Sequence, residues 1–229
     1  ALASNPEVKD FEPEPFSLHY QRSLFSSLQS LTRNAFQNLQ QNLKTLPEHI
    51  QPEAQRVLDL KGEVLKSFKK VYDHKIPIMK IRTHGDYHLG QVLWTGKDFV
   101  IIDFEGEPAR SFSERRLKRS PLRDVAGMLR SFHYAAYSSI IEPEFDQQKK
   151  EGDLDHWAEI WYYLVTRMYL QGYYENVGEN DFIPHNDEDT DILMQTFLLE
   201  KAIYEMNYEL NNRPDWVLIP LRGILSCIK

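Results

Sequence analysis

One short segment in the first half of the chain carries an unusual concentration of polar side chains between apolar residues. Two apolar runs, at 91–94 and 99–102, flank the sequence Thr-Gly-Lys-Asp at 95–98. Short apolar runs around such a turn are typical of a β-hairpin. A hairpin here brings Asp86, which precedes the first run, close to Asp103, which follows the second. The segment therefore predicts two neighbouring carboxylates held on a small scaffold.

The composition restricts the class of function. The 229 residues are 41% hydrophobic and 12% aromatic, which is enough for one sizeable core. A formal net charge of −7 argues against general nucleic-acid binding, because neutralising phosphates needs a basic face. No run approaches the roughly 18 apolar residues of a membrane helix. The only cysteine, Cys227, is consistent with a reducing compartment. We therefore expect a soluble, cytoplasmic protein that binds neither nucleic acid nor membrane.

Apolar residues at helical spacing predict that most of the remaining chain is α-helical. A long amphipathic helix is predicted from Ser17, and a second follows the proline-containing break at 46–52. The aromatic segment 157–174 predicts a mostly buried helix, and 192–211 predicts another. The run 76–81 reads as a short strand that leads into the hairpin. The predicted fold class is α+β, mainly α-helical.

A run rich in arginine and lysine follows the hairpin at 109–119. Runs of like charge usually form a solvated loop. The functional alternative is a basic arm that lies beside an anionic ligand. At the level of sequence both interpretations stay open.

The polar residues around the hairpin allow two kinds of chemistry. His84, Asp86 and His88 alternate, so an extended backbone would point them the same way, as in a small metal-ligand set. With Asp103, that set predicts a metal-dependent hydrolase. In the second interpretation Asp86 acts alone as a base, and Gln91 and Asp103 supply oxygen ligands for magnesium. The order of aspartate, amide, hairpin and second aspartate favours this one, because it is the order of kinase-like phosphotransferases.

Longer strings carry a family resemblance. The segments 84–91 and 101–105 resemble the catalytic and metal-binding loops of the aminoglycoside-phosphotransferase-like branch of the protein-kinase-like fold. Within that branch, the segments 102–110, 120–128 and 212–216 are similar to bacterial maltokinases, which occur alone or fused behind a trehalose synthase domain. The resemblance runs through nearly the whole chain. It implies the C-terminal lobe of a protein-kinase-like fold, with a small β-hairpin that carries the catalytic loops.

The resemblance also implies an activity. It predicts ATP-dependent phosphorylation of maltose to maltose 1-phosphate, with Mg²⁺ as the second cofactor, in trehalose and glycogen metabolism. Asp86 would be the catalytic residue, and Gln91 and Asp103 would bind the metal. Gln91 stands where the branch usually has asparagine. Glu105 stands where a glycine is expected after the metal-binding Asp-Phe pair, and it is a candidate contact to metal or sugar.

Further residues are predicted to support these loops or to shape the sugar site. His84 would brace the catalytic loop from below, and Asp124 would accept hydrogen bonds from its backbone. Six residues are candidates for the sugar pocket: His88, Tyr204, Glu205, Asn212, Arg213 and Trp216. Helix packing, capping or simple surface exposure is the alternative interpretation for these six.

The predicted domain organisation follows from what the sequence lacks. Its ten glycines contain no cluster typical of a phosphate-covering loop, and no strand lysine precedes the first helix. We therefore expect residues 1–16 to be a linker from a missing N-terminal lobe and 17–229 to be the kinase-like C-terminal lobe. The expected partners are maltose, that lobe in cis and, in a fusion, a trehalose synthase domain. The same absence motivates a third hypothesis, a non-catalytic sugar-binding module.

Overall fold

The computed structural model describes residues 5, 7–108, 110–141, 151–178 and 180–228. Most of these residues are helical and the strands are short, as the apolar spacing predicted. No helix in the described part of the chain combines the length and the apolar character that crossing a membrane requires.

Helices precede and follow a small hairpin. The main elements in chain order are β1 Glu14–Pro15, α1 Leu18–Asn42, α2 Gln51–Asp59, α3 Lys61–Lys69, β2 Met79–Lys80, β3 Val92–Trp94, β4 Phe99–Ile101, α4 Phe112–Arg115, α5 Leu122–Ile141, α6 Glu151–Val177, α7 Asp187–Asn212 and α8 Leu218–Cys227. Short 3₁₀ turns lie at Leu43–Thr45, Lys70–Tyr72, Leu89–Gln91 and Pro214–Val217. Strand β1 pairs with β2 and strand β3 with β4, both antiparallel. The hairpin prediction is confirmed.

The first helix begins where its sequence predicted. The Ser17 hydroxyl accepts a hydrogen bond from the Tyr20 N–H at 3.2 Å, which satisfies one free donor of the first turn of α1. The apolar side of α1 packs against α3 and α7. Gln21, fully buried on that side, donates from Nε2 to the carbonyl oxygens of Val71 at 2.6 Å and His74 at 2.8 Å. These bonds tie α1 to the chain that leads into the loop carrying Asp86.

Two predicted elements differ from the structure. The helix expected after the 46–52 break is interrupted at Leu60, whose ψ of 6° ends α2 before α3 starts. The strand expected over 76–81 is reduced to Met79 and Lys80, which pair with β1, and Ile81 adds only an isolated antiparallel bridge to Arg119. Propensity for extended structure produces a strand only where another segment supplies the hydrogen bonds.

The aromatic helix α6 is less buried than its sequence predicted. Trp157, Trp161, Leu164 and Met168 lie on its exposed side, with Met168 at 72% exposure. Apolar residues cover more than one side of α6, and periodicity alone does not say which side has a partner. The prediction of a mostly buried helix is wrong for this side.

The core between α5 and α6 contains a buried histidine. His133 packs its ring against Tyr137 and Tyr162, with centroid distances of 4.7 and 5.1 Å. Burial, followed by the nearby charges of Arg130 and Arg222, lowers the pKa of His133 to about 2. The imidazole is therefore neutral in the folded protein throughout the physiological pH range.

This neutral histidine predicts a loss of stability in mild acid. The pKa of an unfolded histidine is about 6.5, so the unfolded chain binds a proton below that pH and the folded chain does not. Since the folded pKa of His133 is depressed, its contribution is present above pH 6.5 and is lost as the pH falls. We expect the free energy of unfolding to drop by about 2 kcal/mol more between pH 7.5 and 5.0 in the wild type than in His133→Leu. Urea denaturation at both pH values measures this, and equal pH dependence would contradict it.

Candidate active site

The loop that carries Asp86 is anchored by the first turn of α5. Asp124 accepts the His84 N–H at 2.6 Å through Oδ2 and the Gly85 N–H at 3.0 Å through Oδ1. Gly85 has a φ of +86°, a conformation that glycine adopts without a steric cost. Burial raises the pKa of Asp124, and the two backbone hydrogen bonds oppose that effect. The carboxylate thus fixes the backbone just before Asp86.

The His84 ring joins this loop to the end of the hairpin. Its Nε2 donates to the Ile102 carbonyl oxygen at 2.8 Å, and its Nδ1 lies 3.4 Å from the Asp86 N–H. The ring is buried and packs against Tyr87 and Phe104, with centroids 5.5 and 4.9 Å away. Both ring nitrogens therefore face backbone groups, which is the arrangement of a brace and not of a metal ligand.

Helix α5 approaches the loop that carries Asp86 closely at Gly127. A Cβ atom built at this position would lie 2.8 Å from the Tyr87 carbonyl oxygen, so a side chain here forces backbone to move. Only glycine allows the helix to pass this near the loop. The spacing between α5 and the loop that carries Asp86 thus depends on the absence of a Cβ atom at Gly127.

Gly127→Ala is expected to destabilise the protein by about 1–3 kcal/mol, since an inserted methyl group must displace the loop. Gly172, on α6, is the matched control, because a Cβ atom there meets nothing within 4 Å. Gly172→Ala should be stabilising, by about 0.5–1 kcal/mol, through helix propensity. Urea denaturation of the two variants measures the difference. Equal stabilities would show that the loop accommodates the methyl group.

Charged groups surround Asp86 on the side that faces α7. Lys201 places Nζ 3.6 Å from Asp86 Oδ1 and 3.8 Å from Glu107 Oε2. His88 Nε2 lies 3.9 Å from Asp86 Oδ2. The Tyr204 hydroxyl donates to Glu107 Oε1 at 3.3 Å. Sequence reasoning missed Lys201 and Glu107 as site residues. The acidic cluster after the hairpin was a weak signal for Glu107, and the helical pattern of α7 held none for Lys201.

The two predicted metal ligands meet at the base of the hairpin. Gln91 donates from Nε2 to Asp103 Oδ2 at 2.9 Å. Asp103 has a φ of +61°, the left-handed conformation that residues with a side chain seldom adopt. Glu105 lies on the exposed surface two residues further on. Carboxylate and amide oxygens are the donors that magnesium prefers, so these residues fit such an ion.

The structure does not favour the hydrolase hypothesis. Among the described residues, no group of three or more histidine, cysteine, aspartate or glutamate side chains is arranged to hold a metal ion. His84, which that hypothesis needs as a ligand, is turned to the backbone of Ile102.

A cavity of about 480 Å³ opens beside Asp86, between α5 and α7. Four of the six predicted sugar-pocket residues line it: His88, Tyr204, Glu205 and Arg213. Asn212 and Trp216 lie outside this lining. The Asn212 amide donates to the Tyr208 carbonyl oxygen at 2.8 Å, and the Trp216 ring stacks on the guanidinium of Arg213 at 4.5 Å. For these two residues, the contacts are those of helix packing.

The far wall of this cavity is a network of paired charges. Buried Glu209 accepts hydrogen bonds from Arg213, at 2.9 Å from Nε and 2.7 Å from Nη2, and from the Tyr134 hydroxyl at 3.1 Å. Glu205 accepts a hydrogen bond from the Nε atom of Arg130 at 2.8 Å. Side chains held in this way present fixed acceptors and donors to a ligand.

Two tyrosines complete the polar lining. Burial raises the pKa of Tyr134, and the neighbouring Glu205 adds to the effect. Burial and the adjacent Glu107 raise the pKa of Tyr204 to about 12. Both hydroxyl groups therefore stay protonated at neutral pH, donate to the carboxylates of Glu209 and Glu107, and keep lone pairs that can accept a hydrogen bond from a ligand. Carboxylates, hydroxyls and aromatic rings together suit a polyhydroxylated ligand.

Sequence comparison finds sugar kinases among the homologues of this chain. A glucosamine kinase from Mycolicibacterium smegmatis is 29% identical over 140 residues, which are 60% of this chain and 32% of the relative. One from Streptacidiphilus jiangxiensis is 24% identical over 141 residues, or 61% of this chain and 30% of the relative. The alignments thus take in about a third of these relatives. No family model matches the chain.

Structural comparison shows the fold. A glucosamine kinase in one crystal form superposes with a TM-score of 0.74 at 17% identity, over 93% of this chain and 47% of that chain. Another, in complex with glucosamine, ADP and inorganic phosphate, superposes with a TM-score of 0.69 at 16% identity, over 93% of this chain and 46% of that chain. The chain therefore has the fold of about half of a glucosamine kinase.

Proposed function

We propose that this chain is the catalytic C-terminal lobe of an ATP-dependent sugar kinase. The observation that carries the proposal is the position of Asp86, at the wall of the cavity and joined through His84 to the hairpin end where Gln91 and Asp103 meet. A base between an acceptor site and a metal-binding pair is the arrangement that phosphoryl transfer needs. The glucosamine kinase homologues, and the ADP held by one structural relative, support ATP as the donor.

In this proposal Asp86 receives the proton of the acceptor hydroxyl. The hydroxyl oxygen attacks the γ-phosphorus of ATP, the bond to the ADP oxygen breaks, and the proton moves to the Asp86 carboxylate. Lys201 Nζ lies 3.6 Å from that carboxylate, and this ion pair orients the Asp86 side chain. The hydrogen bonds that Asp124 accepts from the His84 and Gly85 N–H groups hold Asp86 in place, so that catalysis is mainly positioning.

Gln91 and Asp103 would hold the magnesium ion, with Glu105 nearby. When bound, Mg²⁺ would supply positive charge that offsets the charge of the phosphates. The left-handed backbone of Asp103 is a strained conformation of the kind that functional sites keep, and it supports this role. In the structure the Gln91 amide turns its Nε2 toward Asp103. To bind the ion, the amide would have to rotate and present its oxygen instead.

The nucleotide would lie between this lobe and an N-terminal lobe joined through residues 1–16. The hairpin exposes a group of apolar side chains suited to such a contact: Leu93, Trp94, Phe99, Val100 and Ile101. A surface patch of this kind is typical of an interaction site. The alignment with only about half of the solved kinases supports the same division.

Maltose is the acceptor that the resemblance implies, and glucosamine is the second candidate from the names of the relatives. The charges of the cavity favour the neutral sugar. Each carboxylate of the lining already has a cationic neighbour: Asp86 and Glu107 share Lys201, Glu205 has Arg130 and Glu209 has Arg213. A protonated amino sugar would therefore find no carboxylate without a cationic neighbour there among the described residues.

The test is ADP release by a kinase that carries both lobes, with Mg-ATP and either maltose or glucosamine. We expect kcat/KM for maltose to exceed that for glucosamine by about tenfold or more. Phosphorus NMR of the product should show a phosphate on the anomeric oxygen. The opposite ranking would assign glucosamine as the acceptor. Sugar binding without ADP release would instead support the non-catalytic module.

A further inference from the structure

Two cavities meet at the proposed base. The acceptor cavity of about 480 Å³ lies between α5 and α7, and a second cavity of about 410 Å³ is lined by α1, α7 and the start of α5. Asp86, Glu107 and Lys201 line both cavities. A ligand whose reacting hydroxyl contacts Asp86 therefore has Glu107 and Lys201 as its next charged neighbours.

The Lys201 ammonium has hydrogen-bond donors to spare. Its Nζ atom lies 3.6 Å from Asp86 Oδ1 and 3.8 Å from Glu107 Oε2. Both distances exceed the range of a hydrogen bond, so neither carboxylate takes up one of the three N–H donors. The side chain is 30% exposed and lines both cavities. Lys201 can therefore donate to a ligand oxygen while it stays beside both carboxylates.

Glu107 supplies the complementary acceptor. Its Oε1 accepts a hydrogen bond from the Tyr204 hydroxyl at 3.3 Å, and its Oε2 faces Lys201. Each carboxylate oxygen carries two lone pairs, so both atoms can accept a further hydrogen bond. Glu107 can thus accept a hydrogen bond from the same ligand group that Lys201 contacts.

The turn that carries Glu107 is held by its own backbone contacts. Gly106 has a φ of +79°, in the left-handed region that favours glycine. The Glu107 carbonyl oxygen accepts the Arg110 N–H at 3.0 Å. Arg115, in the basic run that follows the hairpin, donates from Nε to the Arg110 carbonyl oxygen at 3.0 Å. A side chain on a turn fixed in this way presents its acceptor at a defined place.

A sugar hydroxyl matches this pair because it is a donor and an acceptor at once. Its oxygen can accept from Lys201 while its O–H donates to Glu107. Neighbouring hydroxyl groups of a sugar ring lie within hydrogen-bond distance of each other. A sugar that gives one hydroxyl to Asp86 therefore brings the next one to Lys201 and Glu107. Hydrogen bonds to charged groups are the stronger ones, so this contact can discriminate between sugars.

We propose that Lys201 and Glu107 bind the hydroxyl next to the one that is phosphorylated. The proposal rests on the sugar-kinase function, in which Asp86 takes the proton of the reacting hydroxyl. It makes the two residues determinants of specificity, since the acceptor needs two neighbouring hydroxyl groups. For maltose phosphorylated on the anomeric oxygen, the second group is the hydroxyl on C2 of the reducing unit.

Titration calorimetry of the 229-residue chain with maltose and with 2-deoxymaltose tests this contact. The deoxy sugar lacks the hydroxyl on C2 of the reducing unit. It should bind about 30-fold or more weakly than maltose, because it loses hydrogen bonds to two charged groups. Equal affinities, or no binding of maltose, would overturn the proposal.

Two variants locate the contact. Lys201→Met removes the donors and keeps the length of the side chain, and Glu107→Gln replaces the charged acceptor with a neutral one. In each variant the ratio of the two affinities should shrink about fivefold or more, because one charged partner of the hydroxyl is gone. A purely structural role would weaken both sugars alike, and an unchanged ratio in both variants would overturn the proposal. Glu107→Gln remains informative if Lys201→Met does not fold.

Lys66→Met is the matched control. Lys66 forms an ion pair with Glu63 at 3.3 Å on the exposed surface of α3, and it lines neither cavity. The control should therefore keep the affinity ratio of the wild type. A ratio that shrinks as much as in Lys201→Met would contradict a local contact.

ADP release by a kinase that carries both lobes separates this proposal from the proposed function. Maltose that binds with the expected ratio but releases no ADP would contradict the kinase function and still support the recognition of neighbouring hydroxyl groups. ADP release with equal kcat/KM for maltose and 2-deoxymaltose would overturn that recognition and leave the kinase function intact.

Discussion

Asp86→Asn is expected to lower kcat of the complete kinase by about 10²- to 10⁴-fold, the range over which general base catalysis contributes. Asparagine keeps the size of the side chain and the loop geometry that Asp124 and His84 impose, but it cannot take up the hydroxyl proton. Because Asp86 contacts the acceptor side, we expect little change in nucleotide binding.

Coupled measurement of ADP release gives kcat, and calorimetry with Mg-ATP gives the nucleotide affinity. Asp59→Asn is the control, since Asp59 is an exposed residue of α2 that only accepts a hydrogen bond from Gln55. Near-wild-type turnover in Asp86→Asn would remove Asp86 from the catalytic role. A large loss in Asp59→Asn would show that the assay reports general damage.

Arg130→Met is expected to lower the free energy of unfolding by about 3–5 kcal/mol, because it leaves the buried carboxyl group of Glu205 without its partner. The side chains of Arg130 and Glu205 are 3% and 13% exposed, and their Nη2 and Oε2 atoms lie 2.8 Å apart. The guanidinium also fills the space beside Gly223, where a Cβ atom would lie 2.1 Å from Nη1. Loss of this packing adds to the electrostatic cost.

The double variant Arg130→Met/Glu205→Leu separates the two contributions. Replacement of both charges should recover most of the lost stability, since a buried ion pair and an apolar pair of similar volume are often comparable. Sugar affinity should not recover, because Glu205 lines the acceptor cavity. Urea denaturation and calorimetry with maltose measure the two quantities. If the single variant is as stable as the double one, the buried charge is not the cause.

Local patterns in the sequence were sufficient to predict much of the fold. Ser17 begins α1, the turn at 95–98 closes the β3–β4 hairpin, and the apolar spacing of 192–211 lies within α7. Each feature depends on side chains a few residues apart, which interact in any surrounding. The order of Asp86, Gln91 and Asp103 was equally local, and it pointed to phosphoryl transfer before any contact was known.

Contacts between residues far apart in the chain could not be predicted from such patterns. Lys201 reaches Asp86 only because α7 packs against α5, and Gly127 sets the spacing of α5 from the loop. The exposed side of α6 has the same apolar composition as a buried one, and only the absence of a described packing partner distinguishes it. Residues of the basic run at 109–119 likewise line a cavity only because α1 packs opposite them.

The sequence alone therefore determined the hairpin, most of the helices and the order of the proposed site residues, since hydrogen bonding and apolar periodicity act between near neighbours. Tertiary structure alone decided which charges meet across α5, α7 and the hairpin. That outcome depends on how whole helices pack, and the energy of packing is shared among residues that no short pattern connects.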